Sequence, residues 1–193
     1  YNVVKEANDK FVSRGQRVNF TVTTQMASKE DANGNALTKF KVIDTSTGLK
    51  ADSFKLESVK IAGEPVTVAE SKVTAVAANG KVTYTVDLSD FIATTEAGAT
   101  VEVKYSAVVE NDHTYNNSAT VDSNTVNYVP GIVNGFEGTV TLKKVDTKGT
   151  TLNGAEFQLL KVTPATEEGA EPTKTAINVV RVNAGEYKVA LDG

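Results

Sequence analysis

Hydrophobic and polar positions alternate along most of this chain. Val18, Phe20 and Val22 alternate with Asn19, Thr21 and Thr23, the period of a half-buried strand after a turn at Gly15. The same period predicts strands at about 38–44 and 54–61, along Val101-Glu102-Val103-Lys104-Tyr105, and from Tyr115 to Tyr128. Val66 to Ala77 and Lys81 to Leu88 flank Asn79-Gly80, a dipeptide suited to a two-residue hairpin turn. Ser28 to Asn35 reads as a polar loop turning at Asn33-Gly34, and Ser89 to Thr94 as one helical turn with Ser89 at its N-cap.

The pattern changes at Val129-Pro130-Gly131-Ile132-Val133-Asn134-Gly135. One proline and two glycines within seven residues predict a connector, dividing the chain into blocks 1–129 and 130–193. The second block continues through Phe136, Val140 and Leu142, then Ala155 to Leu160, a polar loop from Pro164 to Lys174, and strands near 177–182 and 186–191. Val and Thr recur in nearly every segment, and β-branched side chains fit a pleated surface better than a helix. Short strands between turn signals predict an all-β fold of two tandem β-sandwich domains, the second truncated.

Three polar residues break the alternation. Lys5 shares a face with Tyr1 and Val3, Asp44 with Phe40 and Val42, and Asn117 with Tyr115, Ala119 and Val121. An amine, a carboxyl and an amide sent separately into a core are each costly. Sent there together, they can condense into a Lys–Asn amide. Burial lowers a lysine pKa and yields a neutral amine nucleophile for the Asn117 side chain. It raises a carboxyl pKa, so a protonated Asp44 would donate a hydrogen bond to the Asn117 carbonyl. Plainer readings stand beside this one. Lys5 also fits an edge lysine with its head in water. Asp44 also fits an Asx turn, leaving Glu57 (with Val59 and Ile61) or Glu70 (with Val66 and Val68) as the assisting acid. Asn116 adjoins Asn117, and parity favours Asn117.

The 193 residues carry a net charge of −4 with acids and bases interspersed, so no basic surface for nucleic acid or anionic membrane is expected. There is no cysteine, and no apolar run approaches the roughly 20 residues of a membrane span. The chain starts and stops inside strand-like runs, which predicts an excised fragment whose targeting and anchoring segments lie outside it. His113 is the lone histidine, so neither a metal site nor a Ser-His-Asp triad is expected. Asp31-Ala32-Asn33-Gly34-Asn35 has its glycine misplaced for a calcium loop and lacks the closing glutamate. No cofactor is expected.

Val3-Val4-Lys5, then Gly15 to Val22, then Val42-Ile43-Asp44-Thr45-Ser46-Thr47-Gly48-Leu49, then Asn117-Ser118-Ala119-Thr120-Val121 occur in an order that resembles the isopeptide-forming middle domains of Gram-positive sortase-assembled pilins. The run Gly138 to Asp146, followed by Leu152-Asn153-Gly154-Ala155-Glu156-Phe157-Gln158-Leu159, resembles the start of a collagen-adhesin B-type domain. The resemblance implies Ig-like sandwiches and an extracellular, cell-wall location. It implies a shaft pilin joined by sortase to other pilin subunits, with host surface or matrix proteins as further partners. The alternative is a stalk or tip module of a wall-anchored adhesin. It also implies a Lys5–Asn117 isopeptide bond, a single turnover of the protein on itself rather than enzymatic activity. For the second block it implies Lys144 as nucleophile and Glu156 as assistant, with the partner asparagine on a last strand that this chain lacks. Alternation favours Lys144 over Lys143, because Lys144 shares a face with Val140 and Leu142. Parity groups Glu156 with Gln158 and Leu160 rather than with Phe157 and Leu159, which calls for a bulge.

Overall fold

In the computed structural model, alternation in the N-terminal strands becomes alternating burial. In β2 (Arg17–Gln25), Val18, Phe20, Val22 and Thr24 are buried while their neighbours face outward. In β3 (Phe40–Thr47) the buried set is Phe40, Val42, Asp44 and Ser46, and in β9 (Tyr115–Ser123) it is Tyr115, Asn117, Ala119 and Val121. The structure describes residues 1–10, 12–110, 114–135, 142–152, 154, 156–165, 167, 169–183 and 186–189. Among them, no helix is long and apolar enough to cross a membrane.

The chain divides into two compact units, Tyr1–Gly138 and Thr139–Gly193. The first adds β1 (Val4–Ala7), β4 (Lys55–Ile61), β5 (Glu64–Val66), β6 (Val73–Ala78), β7 (Lys81–Asp87), β8 (Thr100–Val108) and β10 (Gly131–Gly135). Two five-stranded sheets result, ordered β1-β2-β8-β4-β5 and β10-β9-β3-β7-β6. Their inner faces enclose one apolar core that includes Val18, Phe20, Met26, Phe40, Leu49 and Leu88. Asn79 and Gly80 take positive φ angles of 54° and 74° between the paired residues Ala78 and Lys81, the turn that suits the right-handed twist of the β6–β7 hairpin.

The segment expected to be a connector is instead β10, an edge strand paired with β9 from Gly131↔Ala119 to Gly135↔Tyr115. Its glycines are packing glycines. A Cβ on Gly131 would lie 2.5 Å from the Val3 carbonyl oxygen and 2.9 Å from the Lys5 nitrogen, and one on Gly135 would lie 2.0 Å from the Tyr115 ring. Just before β10, Val129 bridges Asn2 in parallel, with Val3 N donating to Val129 O and Val129 N to Tyr1 O, both at 2.9 Å. Thr24 Oγ1 donates to the Asn2 carbonyl at 3.0 Å. The edges of the two sheets are thereby sewn together where the unit begins and ends.

Other departures have local causes. The run from Val66 to Ala77 is broken by a 3₁₀ turn at Glu70–Lys72, and β9 stops at Ser123 rather than reaching Tyr128. Ser89 lies inside the 3₁₀ turn Ser89–Thr94, whose N-cap is Leu88. Its hydroxyl accepts from Phe40 N, while Asp87 accepts from Ser89 N.

The second unit contains two hairpins, β11 (Leu160–Thr163) with β12 (Thr173–Ala176) and β13 (Val179–Asn183) with β14 (Glu186–Val189). No described side chain in it is buried, and Leu142, Phe157, Val162 and Tyr187 are all exposed.

Gly131→Ala should drive β10 away from the β1 backbone. We expect a loss of about 1–3 kcal/mol, read from urea unfolding in an Asn117→Ala background.

Candidate functional site

Each polar residue that broke the alternation reaches the interior on its own strand. Lys5 lies opposite Val22 on the β1–β2 ladder. Asp44 sits between Tyr84 of β7 and Ala119 of β9, and Asn117 between Ser46 of β3 and Val133 of β10. Tyr105 lies between Phe20 of β2 and Leu56 of β4. One sheet therefore supplies Lys5 and Tyr105, and the facing sheet supplies Asp44 and Asn117.

The four side chains meet. Lys5 Nζ donates to Asp44 Oδ2, and to Tyr105 Oη at 2.5 Å. Tyr105 Oη donates to the same Asp44 oxygen, and Asn117 Nδ2 donates to Tyr105 Oη at 2.7 Å. The Lys5 side chain is 0% exposed, the Asp44 side chain 2% and Asn117 0%, so no solvent screens the cluster. Aromatic faces surround the amine: Nζ lies 5.0 Å from the Phe20 centroid and 4.7 Å from that of Tyr105. Phe54 and Tyr84 pack on Tyr105 in turn, at 5.9 and 5.1 Å.

Burial decides the protonation states. It pushes the Lys5 amine down from its ordinary value, outweighing the Asp44 charge that pulls it up. It pushes the Asp44 carboxyl up, outweighing Lys5 and the Tyr105 hydrogen bond. Both shifts favour the neutral forms, an amine beside a carboxylic acid. Burial also raises the Tyr105 phenol well above its usual range and Tyr84 to about 12, so both stay protonated. A neutral amine is a nucleophile, and the Asn117 amide shares the Tyr105 hydroxyl with it.

The expected hydrogen bond from Asp44 to the Asn117 carbonyl is not formed. Among the described residues, Asp44 Oδ1 and Asn117 Oδ1 have no partner, and Tyr105 stands between the two side chains instead. The alternative acids lie elsewhere. Glu57 is the extra residue of a β-bulge where the β4–β8 register shifts between Leu56 and Ser58. The bulge turns Glu57 outward, where Ser106 Oγ donates to it at 2.9 Å. Glu70 is exposed in the 3₁₀ turn. Asn116 is exposed and bonds Asn134.

Tyr105 is the residue that sequence reasoning missed. Its signal was present: it shares a face with Val101 and Val103, and a phenol directed into a core needs a partner for its hydroxyl. Lys144 and Glu156 are both exposed, so neither has the desolvation that acts on Lys5. His113, Val140, Asn153 and Ala155 lie outside the described residues. Asp31 closes its own loop, accepting from Asn33 N at 2.8 Å and Asn35 N at 2.9 Å.

The two opposed shifts make a pH prediction for Asn117→Ala, which removes the target amide. Lys5 has a lowered folded pKa, so the unfolded chain binds more protons below 10.5, and stability should climb as pH rises toward that value. Asp44 has a raised folded pKa, so the folded chain binds more protons just above 3.8, and stability should fall as pH rises from there. Urea unfolding across pH should therefore trace a valley. Adding Lys5→Met should abolish its alkaline limb.

No family model and no curated protein matches the chain. Solved structures do. The group B streptococcus pilus 2b backbone protein aligns with TM-score 0.55 and 19% identity, over 97% of this chain and 72% of its own. The fimbrial protein FimP from Actinomyces oris aligns with TM-score 0.54 and 19% identity, over 97% of this chain and 54% of its own. The chain thus spans about half the length of FimP. At such identities the likeness is one of architecture, and by it the chain has a pilin-type, all-β sandwich fold.

Proposed function

We propose that this chain is a structural part of a cell-surface pilus shaft, closed within its N-terminal sandwich by an amide bond between Lys5 Nζ and Asn117 Cγ. The observation that carries this reading is the dry cluster in which an amine, a carboxyl and an amide meet at one phenol oxygen. Lys5 Nζ attacks Asn117 Cγ, the Asn117 nitrogen leaves as ammonia, and Asp44 assists the proton movements. Folding supplies the proximity, an effect of roughly 7–11 kcal/mol in favourable intramolecular reactions. The protein acts once on itself and turns over no substrate. Its partners are other pilin subunits joined by sortase at the cell wall, together with host surface or matrix proteins. Lys144 and Glu156 form a second reactive pair in this reading only when a strand bearing an asparagine covers them.

The bond suits a load-bearing subunit. It closes a loop of more than a hundred residues, and by analogy with a disulfide of that span it restricts the unfolded chain by about 4–5 kcal/mol. Its mechanical effect is larger. Tension entering at β1 crosses directly to β9, so residues 6–116 leave the load path. Only residues 1–4 and the stretch from 118 to 135 remain extensible.

Intact mass under denaturing conditions tests the chemistry. The wild-type chain should be lighter than its sequence by one ammonia, and Lys5→Ala, Asp44→Ala and Asn117→Ala should each show the full mass. A full mass for wild type ends the proposal. Single-molecule pulling tests the mechanics: the N-terminal unit should lengthen by no more than about 75 Å when linked and by roughly 450 Å in Asn117→Ala.

A further inference from the structure

The cluster contains one group that the amine, the carboxyl and the amide all touch. Tyr105 Oη accepts from Lys5 Nζ at 2.5 Å and from Asn117 Nδ2 at 2.7 Å, and it donates to Asp44 Oδ2. The Asp44 oxygen in use is bonded to Nζ and to the phenol, and its other oxygen has no partner. Asn117 is therefore connected to the acid only through the phenol among the hydrogen bonds of the described residues. A proton travelling from nucleophile to leaving group has a two-bond route through Tyr105.

Packing alone does not call for that hydroxyl. The ring is held by Phe20 at 5.2 Å, stacked at 25°, and by Phe54 at 5.9 Å, stacked at 12°; phenylalanine would satisfy both contacts. Burying a phenol oxygen against a carboxyl, an amine and an amide places a proton donor and acceptor where condensation needs one.

We propose that Tyr105 is a catalytic residue of the self-crosslinking reaction, its hydroxyl carrying the proton from Lys5 Nζ to the departing Asn117 Nδ2. The inference rests on the amide-bond reading above. As the Nζ lone pair forms the new bond to Asn117 Cγ, the carbonyl π pair moves onto Oδ1 and Nζ becomes cationic. The phenol turns its proton from Asp44 Oδ2 toward Nδ2 and delivers it there as Nζ passes a proton to the phenol oxygen. The phenol is neutral before and after. The Oδ1 pair re-forms the carbonyl, the Cγ–Nδ2 bond breaks with its electrons on nitrogen, and ammonia leaves. One amine and one amide yield one amide and one ammonia, with no outside reactant. Asp44 then holds the phenol and the amine in line, while burial lowers the amine's affinity for its extra proton.

The test follows ammonia loss by intact mass in the full chain, made by cell-free translation and quenched in denaturant at intervals. Tyr105→Phe should fold, as judged by its thermal unfolding, and lose ammonia roughly 10²–10⁴-fold more slowly than wild type, the span of a general acid–base contribution. Tyr128→Phe removes a phenol that donates to the Gln25 carbonyl outside the cluster, and it should react at the wild-type rate. A folded Tyr105→Phe that crosslinks as fast as wild type overturns the proposal. If Tyr105→Phe does not fold, 3-fluorotyrosine placed at 105 decides the matter, since it keeps the ring and hydroxyl but makes the phenol more acidic. A displaced pH–rate profile supports the relay, and an unchanged rate and profile refute it. A wild-type chain that never loses ammonia overturns the amide-bond reading and this role with it. Normal wild-type loss with an unaffected Tyr105→Phe overturns the role of Tyr105 alone.

Discussion

Withdrawing the Lys5 amine from water is the constraint to which the rest of the N-terminal sandwich answers. A lysine head 0% exposed gives up hydration at an effective cost of several kcal/mol, comparable with the whole stability of a small domain, and attraction to one carboxylate often fails to restore it. The sandwich answers in three ways. It shifts both groups toward neutrality, it gives the amine two oxygen partners, and it lines the space with the faces of Phe20 and Tyr105. Even so, an apolar trio of similar volume would hold the same sheets together as well or better. A buried amine–acid–amide cluster is thus poorly explained as a stabilising device. It is well explained as reactive machinery.

The position of that cluster matters as much as its chemistry. Lys5 lies on the edge strand that opens the unit, and Asn117 lies on β9, next to the edge strand β10 that ends it. The parallel bridge between Asn2 and Val129 brings those two edges together, and Gly131 lets the backbones approach without a side chain between them. Such a seam resists shear with only a few backbone hydrogen bonds. A covalent tie across the interior beside it is where a pulled chain would gain most.

Within the interior, the division of labour between sheets is notable. Nucleophile and phenol come from one sheet, acid and amide from the other, so the cluster exists only when both sheets have closed. Before closure the amine is hydrated and charged, and therefore unreactive. In the proposed reaction, packing is thus the trigger. The second unit offers a contrast in the same chain: Lys144 and Glu156 are both exposed.

Much of this was legible in residue order, because side-chain direction in a strand is a local property. Parity alone placed Lys5, Asp44 and Asn117 inward, and Asn79-Gly80 announced its hairpin through backbone angles that few residues adopt. Three things were not legible, each because it depends on contacts distant in sequence. Gly131 and Gly135 have the composition of a linker, and only the nearby Lys5 backbone and Tyr115 ring reveal them as strand glycines. Glu57 follows the parity of Val59 and Ile61 on paper, and the bulge against β8 turns it outward. Tyr105 was recognisable as an inward aromatic but not as the hub, since its neighbours arrive from β1, β3 and β9. The order of residues determined which groups would face the core. The closing of two sheets decided which of them would touch, because register across a sandwich is set by the packing of strands a hundred residues apart.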